Sequence, residues 1–296
     1  MRILILGGLG MIGHQLYTHL SQEFSQIKVC IRSSSLEALK YGIFDPIHLI
    51  DNVDLLHERT LEIALKNVNP DIIINCAGSG LSKTKKLKYP EIIELNALFP
   101  HKLYEWCRSH SAFLIHFSND EVFAGRELPY DENSPPDSGS VYGRAKALGE
   151  INGPQSLTLR ASFLGPELGR FTELFSRLCN DPSQTLTASR SNFYSGVSTL
   201  YLAEFVAELL RKNLPISGLY QVASQLISEY DLLHLINTQF NWNLKLIEIP
   251  GSSQFQKILN NQKLLRAWPH QPPKWTDMIY GLYQNYQENL EYRKTA

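Results

Sequence analysis

Short apolar runs alternate with segments of helical spacing along the first 160 residues of this chain. An unbroken apolar run is typical of a strand that is buried on both faces of a parallel sheet. Apolar positions that recur every three or four residues instead indicate a helix with one buried face. The predicted strands are residues 2–7, 27–31, 47–53, 71–77, 112–117 and 156–160, and the predicted helices run to about residue 23 or span 58–67, 91–110 and 140–150.

Strands that alternate with helices at this interval imply right-handed βαβ units and therefore a parallel sheet. Pro100 inside the predicted helix 91–110 indicates a late start or a kink there. After residue 160 the pattern loosens into a mixture of helices and strands. We predict an α/β protein, with a Rossmann-type doubly wound parallel sheet in residues 1–165 and a smaller mixed α/β lobe in 166–296, interleaved with the first. The further predicted elements are helices at 171–179, 200–212, from Ser228 onward and 273–292, and strands at 218–223 and 242–250.

The composition changes this picture little. Of 296 residues, 43% are hydrophobic and 19% are charged, which is ordinary for a globular protein, and the net charge is -1. Such a balance gives no electrostatic argument for binding nucleic acid or an anionic membrane, and no apolar run approaches the length of a membrane span. The cysteines have no metal-ligand spacing, so we predict no metal and expect reduced thiols in a cytoplasmic protein. They are Cys30, Cys76, Cys107 and Cys179.

The first candidate site is a glycine loop. Gly7, Gly10 and Gly13 follow the first predicted strand and open a helix. Glycines in that context let the backbone turn tightly and approach a pyrophosphate, which binds at the positive N-terminus of the helix. The alternative is a glycine-rich turn that serves packing alone. We predict a dinucleotide-binding loop.

The end of the second predicted strand indicates which dinucleotide is bound. An NAD-preferring site usually carries an acid there to hold the ribose hydroxyls, whereas this chain carries Arg32 followed by Ser33. A guanidinium with an adjacent hydroxyl suits a 2′-phosphate. We therefore predict NADP(H), and the alternative is a solvated arginine after a strand.

A tyrosine and a lysine form the third candidate site. Tyr142 and Lys146 stand four residues apart on a predicted helix, so both point to the same face. The ammonium favours the phenolate, which lowers the pKa of a tyrosine towards a useful range for proton transfer. Alone, this pair is weak support, because many helices carry one on the surface.

Four segments carry a resemblance to a known family. The chain contains an N-A-x-x-P helix, an S-x-D-x-V-F-x-G segment, a Y-x-x-x-K helix and an L-R-x-S strand. Together with the glycine loop, they resemble the extended short-chain dehydrogenases/reductases, and within them the dTDP-4-dehydrorhamnose (sugar-nucleotide) reductase family. The resemblance covers most of residues 1–165 and thins afterwards. The segments are residues 94–100, 117–125, 141–146 and 159–162.

The resemblance implies an NADP-binding domain in residues 1–165, a substrate-binding lobe in 166–296, and reduction of a 4-keto nucleotide sugar. Tyr142 would protonate the substrate oxygen, and Lys146 would bind the nicotinamide ribose. Asp54 could equally be a surface acid that begins a helix, and Cys76 could be a small core residue. The implied cofactor contacts are Gly7, Gly10, Met11, Ile12 and Gly13 with the pyrophosphate, Arg32 and Ser33 with the 2′-phosphate, Asp54 and Leu55 near the adenine, and Cys76, Ala77 and Gly78 near the ribose and nicotinamide.

Asn119 departs from the family pattern, which has Ser or Thr at that position. An amide can donate a hydrogen bond to a substrate carbonyl, but it cannot relay a proton as a hydroxyl does. Ser118 is adjacent and would face the opposite side of a regular strand. We favour a working reductase in which Asn119 orients the ketone. A non-catalytic NADP(H)-binding regulatory or sensor protein is the alternative.

Two further points stay open in the sequence. Asp120 and Glu121 form an acidic pair beside Asn119, so a nucleotide-sugar dehydratase or epimerase is a third possibility. The lysines in residues 80–88 could help to hold a substrate diphosphate or could be a solvated basic loop. The resemblance also implies a homodimer through helices 91–110 and 140–153, an arrangement common in the superfamily.

Overall fold

The computed structural model describes residues 1–78, 88–125, 129–169, 172–251 and 256–289. Within these ranges, a seven-stranded sheet with the order β11-β6-β5-β4-β1-β2-β3 forms the centre of the fold. The strands are β1 (Ile3–Leu6), β2 (Ile27–Cys30), β3 (Leu49–Ile50), β4 (Ile72–Asn75), β5 (Phe113–Ser118), β6 (Ser156–Arg160), β7 (Phe163–Leu164), β8 (Thr185–Ala188), β9 (Phe193–Tyr194), β10 (Val197–Ser198), β11 (Gly218–Gln221), β12 (Ile227–Ser228) and β13 (Lys245–Glu248).

The strand order confirms the predicted Rossmann-type doubly wound sheet. β1 pairs in parallel with both β2 and β4, β2 pairs in parallel with β3, and β4 with β5. The chain therefore runs outward from β1 to β3 and then returns to start again at β4. In sheets of this kind, ligands bind beyond the carboxyl ends of the strands at the point where the order reverses. That point lies beside β1 and β4.

The apolar runs form strands because both of their faces are buried. All four residues of β1 and all four of β4 are buried. On one side of the sheet, Leu4, Leu6 and Ile73 pack against Leu65 and Leu103 from two flanking helices. The helices are Met11–Leu20, Ser35–Leu39, Glu58–Val68, Tyr89–Ile93, Phe99–Ser109, Val141–Leu148, Leu174–Asn180, Thr199–Arg211, Glu229–Phe240, Gln262–Ala267 and Trp275–Glu288.

The predicted helix 91–110 is divided into three segments. An α-helix at Tyr89–Ile93 continues into a π-helical turn at Glu94–Leu98 and then into the α-helix Phe99–Ser109. Pro100 stands in the first turn of the last segment, where it cannot donate a backbone hydrogen bond to the preceding π turn. Because helical structure already begins at Tyr89, the expected late start at Pro100 is wrong, and the π turn before Pro100 was not predicted.

Beyond residue 160, the described chain adds short two-stranded sheets. β10 pairs with β7 and β13 with β8 in parallel, and β12 pairs with β9 in an antiparallel arrangement. The predicted start at Ser228 is confirmed, because its hydroxyl accepts a hydrogen bond from the Asp231 N–H at 3.0 Å. The last helix begins at Trp275, two residues after Pro273, so Pro273 does not open it.

The chain folds into two compact units, each made of three segments. The predicted boundary after residue 165 lies inside a segment of the second unit, Arg160–Leu202. In the described ranges, no helix is long and apolar enough to cross a bilayer. The first unit comprises Met1–Ser118, Gly139–Leu159 and Ala203–Leu219, and the second comprises Asn119–Ser138, Arg160–Leu202 and Tyr220–Ala296.

Candidate active site

The glycine loop lies at the reversal point of the sheet, and close backbone contacts require glycine there. Gly7 has a φ of +80°, and a Cβ atom on it would lie 2.9 Å from the Ala77 nitrogen after β4. A Cβ on Gly13 would lie 2.3 Å from the Gly7 carbonyl oxygen. That oxygen also accepts a hydrogen bond from the Gly10 N–H at 2.9 Å. The loop is therefore a tight turn whose backbone packs against Cys76 and Ala77, the residues that follow β4.

The helix that follows presents an open N-terminus. Gly10 occupies its N-cap position, and among the described residues no side chain caps the first turn, which also contains no acid. His14 is fully buried, and its Nδ1–H donates to the Gly10 carbonyl at 2.8 Å, which fixes the turn from below. Uncapped N–H groups at Met11, Ile12 and Gly13 form a site that suits a phosphate. Close packing explains why the loop needs glycines, but it does not explain why the N-terminus of the helix has no capping side chain.

Arg32 and Ser33 follow β2 as predicted. The Arg32 side chain is exposed, whereas the Ser33 hydroxyl oxygen is buried and has no hydrogen-bond partner in the described part of the chain. The nearby acid, Asp51, is occupied: it accepts bonds from the Ser35 N–H and hydroxyl, both at 2.9 Å. These bonds hold the pKa of the Asp51 carboxyl below its usual range. An exposed cation beside a buried hydroxyl suits a 2′-phosphate.

Asp54 and Leu55 lie in the turn before the helix Glu58–Val68. The Asp54 carboxylate accepts a bond from the Leu56 N–H at 3.1 Å, and the Asp54 carbonyl accepts one from the Thr60 hydroxyl at 2.8 Å. Leu55 packs against the core on that side of the sheet. The Asp54 carboxylate thus closes a local turn ahead of the helix, whose N-cap is His57, so Asp54 does not itself begin the helix. Contact of the two residues with the adenine stays a prediction.

Cys76, Ala77 and Gly78 follow β4. The backbone of Cys76 and Ala77 meets the glycine loop, whereas a Cβ on Gly78 would lie 3.4 Å from Oδ1 of Asn96. The Ala77 N–H donates to Asn75 Oδ1 at 3.1 Å, and the Asn75 amide lies 3.1 Å from Nδ1 of the buried His116 on β5. Burial raises the pKa of the Cys76 thiol. The thiol therefore stays protonated near neutral pH, which agrees with a small core residue that performs no chemistry.

Tyr142 and Lys146 lie on the helix Val141–Leu148, and both are buried. Ser140 begins this helix by accepting a bond from the Gly143 N–H at 2.9 Å. Tyr142 is 7% exposed and packs with Ile92 and Ala97, and Lys146 is 5% exposed. The Lys146 Nζ donates to the Phe117 carbonyl at 2.6 Å. Burial lowers the pKa of Lys146 to about 8, while the charge of Glu150 raises it. A surface pair would show neither the burial nor this shift.

Ser118 does not supply the hydroxyl that Asn119 lacks. Its side chain is fully buried and donates to Glu150 Oε1 at 2.6 Å within the first unit. Asn119 is the first residue of the second unit and precedes the 3₁₀ turn Asp120–Val122 in an extended conformation. The departure from the family pattern is therefore not compensated by the neighbouring serine.

The acidic pair after Asn119 is engaged within the second unit. Glu121 forms an ion pair with Lys257 at 2.7 Å. Burial raises the pKa of the Asp120 carboxyl, against the hydrogen bond that it receives from Ser162. Tyr194 lies close enough that burial and the charge of Asp120 raise its pKa well above the usual value. Both acids of the pair are therefore engaged by other side chains of the second unit.

Asn96 was not predicted as a site residue. It lies in the π-helical turn, is buried, and its amide donates to the Ile92 carbonyl at 2.9 Å. A Cβ on Gly149 would lie 2.0 Å from the Asn96 carbonyl oxygen, so the end of the tyrosine–lysine helix packs against this turn. Single π turns inside helices are frequent at functional sites. The N-A-x-x-P motif marked the segment, but no sequence signal indicated the π turn.

Some predicted site features lie outside the described residues. Residues 79–87, which include Lys83, Lys85 and Lys86, are among them. Lys88 precedes the helix Tyr89–Ile93. In the part of the chain that the structure describes, no cluster of three or more His, Cys, Asp or Glu residues could hold a metal ion.

The sheet order defines an α/β protein with a Rossmann-type sheet, and the chain carries an open glycine loop and a buried tyrosine–lysine pair. Residues 1–287 match the family described as the RmlD substrate binding domain, and the chain belongs to that family. The resemblance found in the sequence motifs is thus confirmed.

Individual relatives agree with this assignment. The chain is 24% identical over 299 residues to dTDP-4-dehydrorhamnose reductase of Salmonella typhimurium (strain LT2), a match that covers 93% of this chain and 94% of that one. It is 27% identical over 157 residues to methionine adenosyltransferase 2 subunit beta of Xenopus tropicalis, covering 50% of this chain and 41% of that protein. The solved structure of dTDP-4-dehydrorhamnose reductase from Bacillus anthracis str. Ames, in complex with NADP, has a TM-score of 0.72 at 18% identity, over 96% of this chain and 99% of that one. This last likeness shows the shared fold.

Proposed function

We propose that this protein is an NADP(H)-dependent reductase of a 4-keto nucleotide sugar, similar to dTDP-4-dehydrorhamnose reductase. The observation that carries the proposal is the buried Tyr142–Lys146 pair, which lies in the same unit as the open glycine loop. A relative with that activity aligns along 93% of the chain, which supports the same conclusion. The first unit would bind the dinucleotide, and the second would bind the nucleotide sugar.

The residues of the first unit fit the dinucleotide. Met11, Ile12 and Gly13 offer uncapped N–H groups to the pyrophosphate, and the backbone at Gly7 leaves no room for a side chain that would block it. Arg32 and the buried Ser33 hydroxyl favour NADP(H) over NAD(H). The relative that was crystallised with NADP is consistent with that preference. When bound, NADPH supplies the hydride.

The chain's own groups handle the proton. The Tyr142 hydroxyl donates a proton to the substrate keto oxygen as the carbon is reduced, and the Lys146 ammonium stabilises the resulting phenolate. Lys146 also binds the nicotinamide ribose in this proposal. The Asn119 amide donates a hydrogen bond to the same oxygen and orients the ketone, without relaying a proton.

A non-catalytic NADP(H)-binding protein is the second candidate. Asn119 in place of a hydroxyl residue favours it, and so does the match of half the chain to a protein named as a subunit of methionine adenosyltransferase. A dehydratase is less well supported than either. The acidic pair that suggested it is engaged by neighbouring side chains, because Glu121 forms an ion pair with Lys257 and Asp120 accepts a hydrogen bond from Ser162.

A homodimer belongs to the same proposal. The two helical segments expected to form the dimer carry exposed apolar side chains within the first unit. A second copy of the chain would cover these side chains and remove them from water. They are Ile93, Leu98 and Leu148.

Replacement of Tyr142 by phenylalanine tests the catalytic proposal. The purified protein is titrated with NADPH and NADH and then mixed with a panel of 4-keto nucleotide sugars while loss of NADPH is followed. We expect turnover with the wild type and a loss of about 10²-fold or more in Tyr142→Phe, because the proton donor is gone while NADPH still binds.

Tyr280→Phe is the matched control, because Tyr280 is half exposed on the helix Trp275–Glu288 and far along the chain from the motif. Turnover in Tyr142→Phe equal to that of the wild type would overturn the tyrosine mechanism. Tight NADPH binding with no turnover across the panel would favour the non-catalytic candidate. Product formation without net loss of NADPH would indicate an epimerase or dehydratase.

A further inference from the structure

Two short hydrogen bonds join the end of the tyrosine–lysine helix to the end of β5. Lys146 donates to the carbonyl of Phe117 at 2.6 Å, and Glu150 accepts from the hydroxyl of Ser118, also at 2.6 Å. Phe117 and Ser118 are consecutive, and Lys146 and Glu150 are one helical turn apart. The cation and the anion are thus attached to neighbouring residues of the same strand.

Tight backbone packing fixes this arrangement. The Gly149 N–H donates to the Ala145 and Lys146 carbonyls at 3.1 and 3.2 Å, which continues the helical turn past Leu148. A Cβ on Gly149 would lie 2.0 Å from the Asn96 carbonyl oxygen, so only glycine allows the turn to approach the π-helical segment this closely. Glu150 is therefore held on the side of the helix that faces β5.

Glu150 is the anion of this buried environment. Its charge acts on Lys146 against the effect of burial. On β5, burial and the charges of Lys146 and His101 lower the pKa of His116 well below its usual value, so His116 is neutral near neutral pH. Among the described residues, Glu150 is the one whose charge is found to favour the ammonium form of Lys146.

We propose that Glu150 is a positioning residue for Lys146, held in place by the Ser118 hydroxyl, and that its charge keeps the lysine protonated while the enzyme turns over. The inference rests on the proposed function for its catalytic consequence. Without the carboxylate, burial alone would act on the ammonium. The lysine would then lose its proton at a lower pH, and Tyr142 would lose the cation that stabilises its phenolate.

Glu150→Gln tests this directly, because glutamine keeps the shape and can still accept from Ser118 but carries no charge. Lysine is labelled with ¹³C at Cε, and the Lys146 signal is assigned by its absence in Lys146→Arg. Titration of the free protein by NMR should show the pKa of Lys146 falling by about one unit in Glu150→Gln, the order of effect of an opposite charge at short range. Glu150→Asp, which keeps the charge, should restore part of the shift.

The matched control is Glu37→Gln, on the helix Ser35–Leu39, which should leave the pKa of Lys146 unchanged. Under turnover, the alkaline limb of the kcat profile should move to lower pH by the same amount in Glu150→Gln, with the substrate KM unchanged. A merely structural role would lower kcat equally at every pH and leave the limb where it was.

The NMR result separates the two levels of the proposal. An unchanged pKa of Lys146 in Glu150→Gln would overturn the role of Glu150, whatever the activity. The expected fall in pKa, in a protein that turns over none of the substrates, would uphold the electrostatic coupling and remove the proposed function instead.

Discussion

Replacement of Lys146 by methionine should stabilise the fold near neutral pH. The side chain is 5% exposed, and its pKa falls from the ordinary 10.5 to about 8, chiefly because burial disfavours the charged form. At about 1.4 kcal/mol per unit, this fall means that the buried ammonium costs about 3 kcal/mol of folding free energy when it is fully protonated. Methionine has a similar length and carries no charge, so it removes that cost.

Part of the gain is offset by a lost hydrogen bond. Methionine cannot donate to the Phe117 carbonyl, which Lys146 contacts at 2.6 Å, and a buried carbonyl without a donor costs about 1–3 kcal/mol. We therefore expect Lys146→Met to raise the free energy of unfolding by up to about 2 kcal/mol at pH 7. The same change should abolish turnover, because it removes the cation beside Tyr142.

The pH dependence gives this prediction its sign. Below pH 8 the lysine is protonated in both the folded and the unfolded state, so its full cost is present there. As the pH rises from about 8 towards 10.5, the folded protein loses the proton first, the wild type gains stability, and the advantage of the variant shrinks by up to about 1.4 kcal/mol per unit.

Urea titrations of both proteins between about pH 6.5 and 9.5 measure the difference in their free energies of unfolding, because this range spans the pKa of Lys146 in the folded protein. Burial also raises the pKa of Cys30, Cys107 and Cys179 to about 12, which destabilises both proteins at high pH. This effect cancels in the difference between the wild type and the variant. Lys66→Met, at an exposed position of the helix Glu58–Val68, is the control and should give a difference that does not vary with pH. A destabilised Lys146→Met at pH 7, or a constant difference, would refute the reasoning.

Two predictions concern the cofactor. Gly13→Ala should weaken NADPH binding by about tenfold or more, because overpacking of about 1–3 kcal/mol is expected where the new Cβ lies 2.3 Å from the Gly7 carbonyl oxygen. Gly139→Ala, with nothing within 4 Å of its Cβ, is the control and should bind NADPH normally. Equal affinities of the two variants in a fluorescence titration would contradict this prediction. Arg32→Ala should raise the Kd for NADPH by about 10- to 100-fold through loss of a charge-assisted hydrogen bond, and it should leave the Kd for NADH nearly unchanged. An equal rise in both Kd values would disprove the 2′-phosphate role.

The strands of the central sheet were predictable because burial on both faces leaves an unbroken apolar run. The sequences of β1 and β4 contain such runs, and the structure places them where the sequence indicates. The third strand was predicted too long, at residues 47–53, whereas β3 covers only Leu49–Ile50. A 3₁₀ turn at Pro46–His48 precedes it, and Asn52 at a φ of 55° ends it, so local turn chemistry overrides the apolar pattern.

The features that could not be predicted depend on contacts between distant residues. Ser118 and Glu150 are 32 positions apart, and no periodicity connects them. Two-residue strands such as β7 and β10 are too short to show alternation. The π turn at Glu94–Leu98 differs from an α-helix by one hydrogen-bond step, which leaves no mark on amphipathic spacing. Asn96 was therefore missed although its motif was recognised.

Burial is what makes the tyrosine–lysine spacing informative. On an exposed helix, the same two residues would cost nothing to keep and would say little about function. Here Lys146 is only 5% exposed, and its charged form disfavours folding by about 3 kcal/mol, although an apolar residue could have packed at the same position. The charge of Glu150 reduces this effect of burial on the Lys146 ammonium but does not cancel it. A buried cation that disfavours folding is typical of a functional site rather than of a purely structural one, which agrees with the proposed proton transfer at Tyr142.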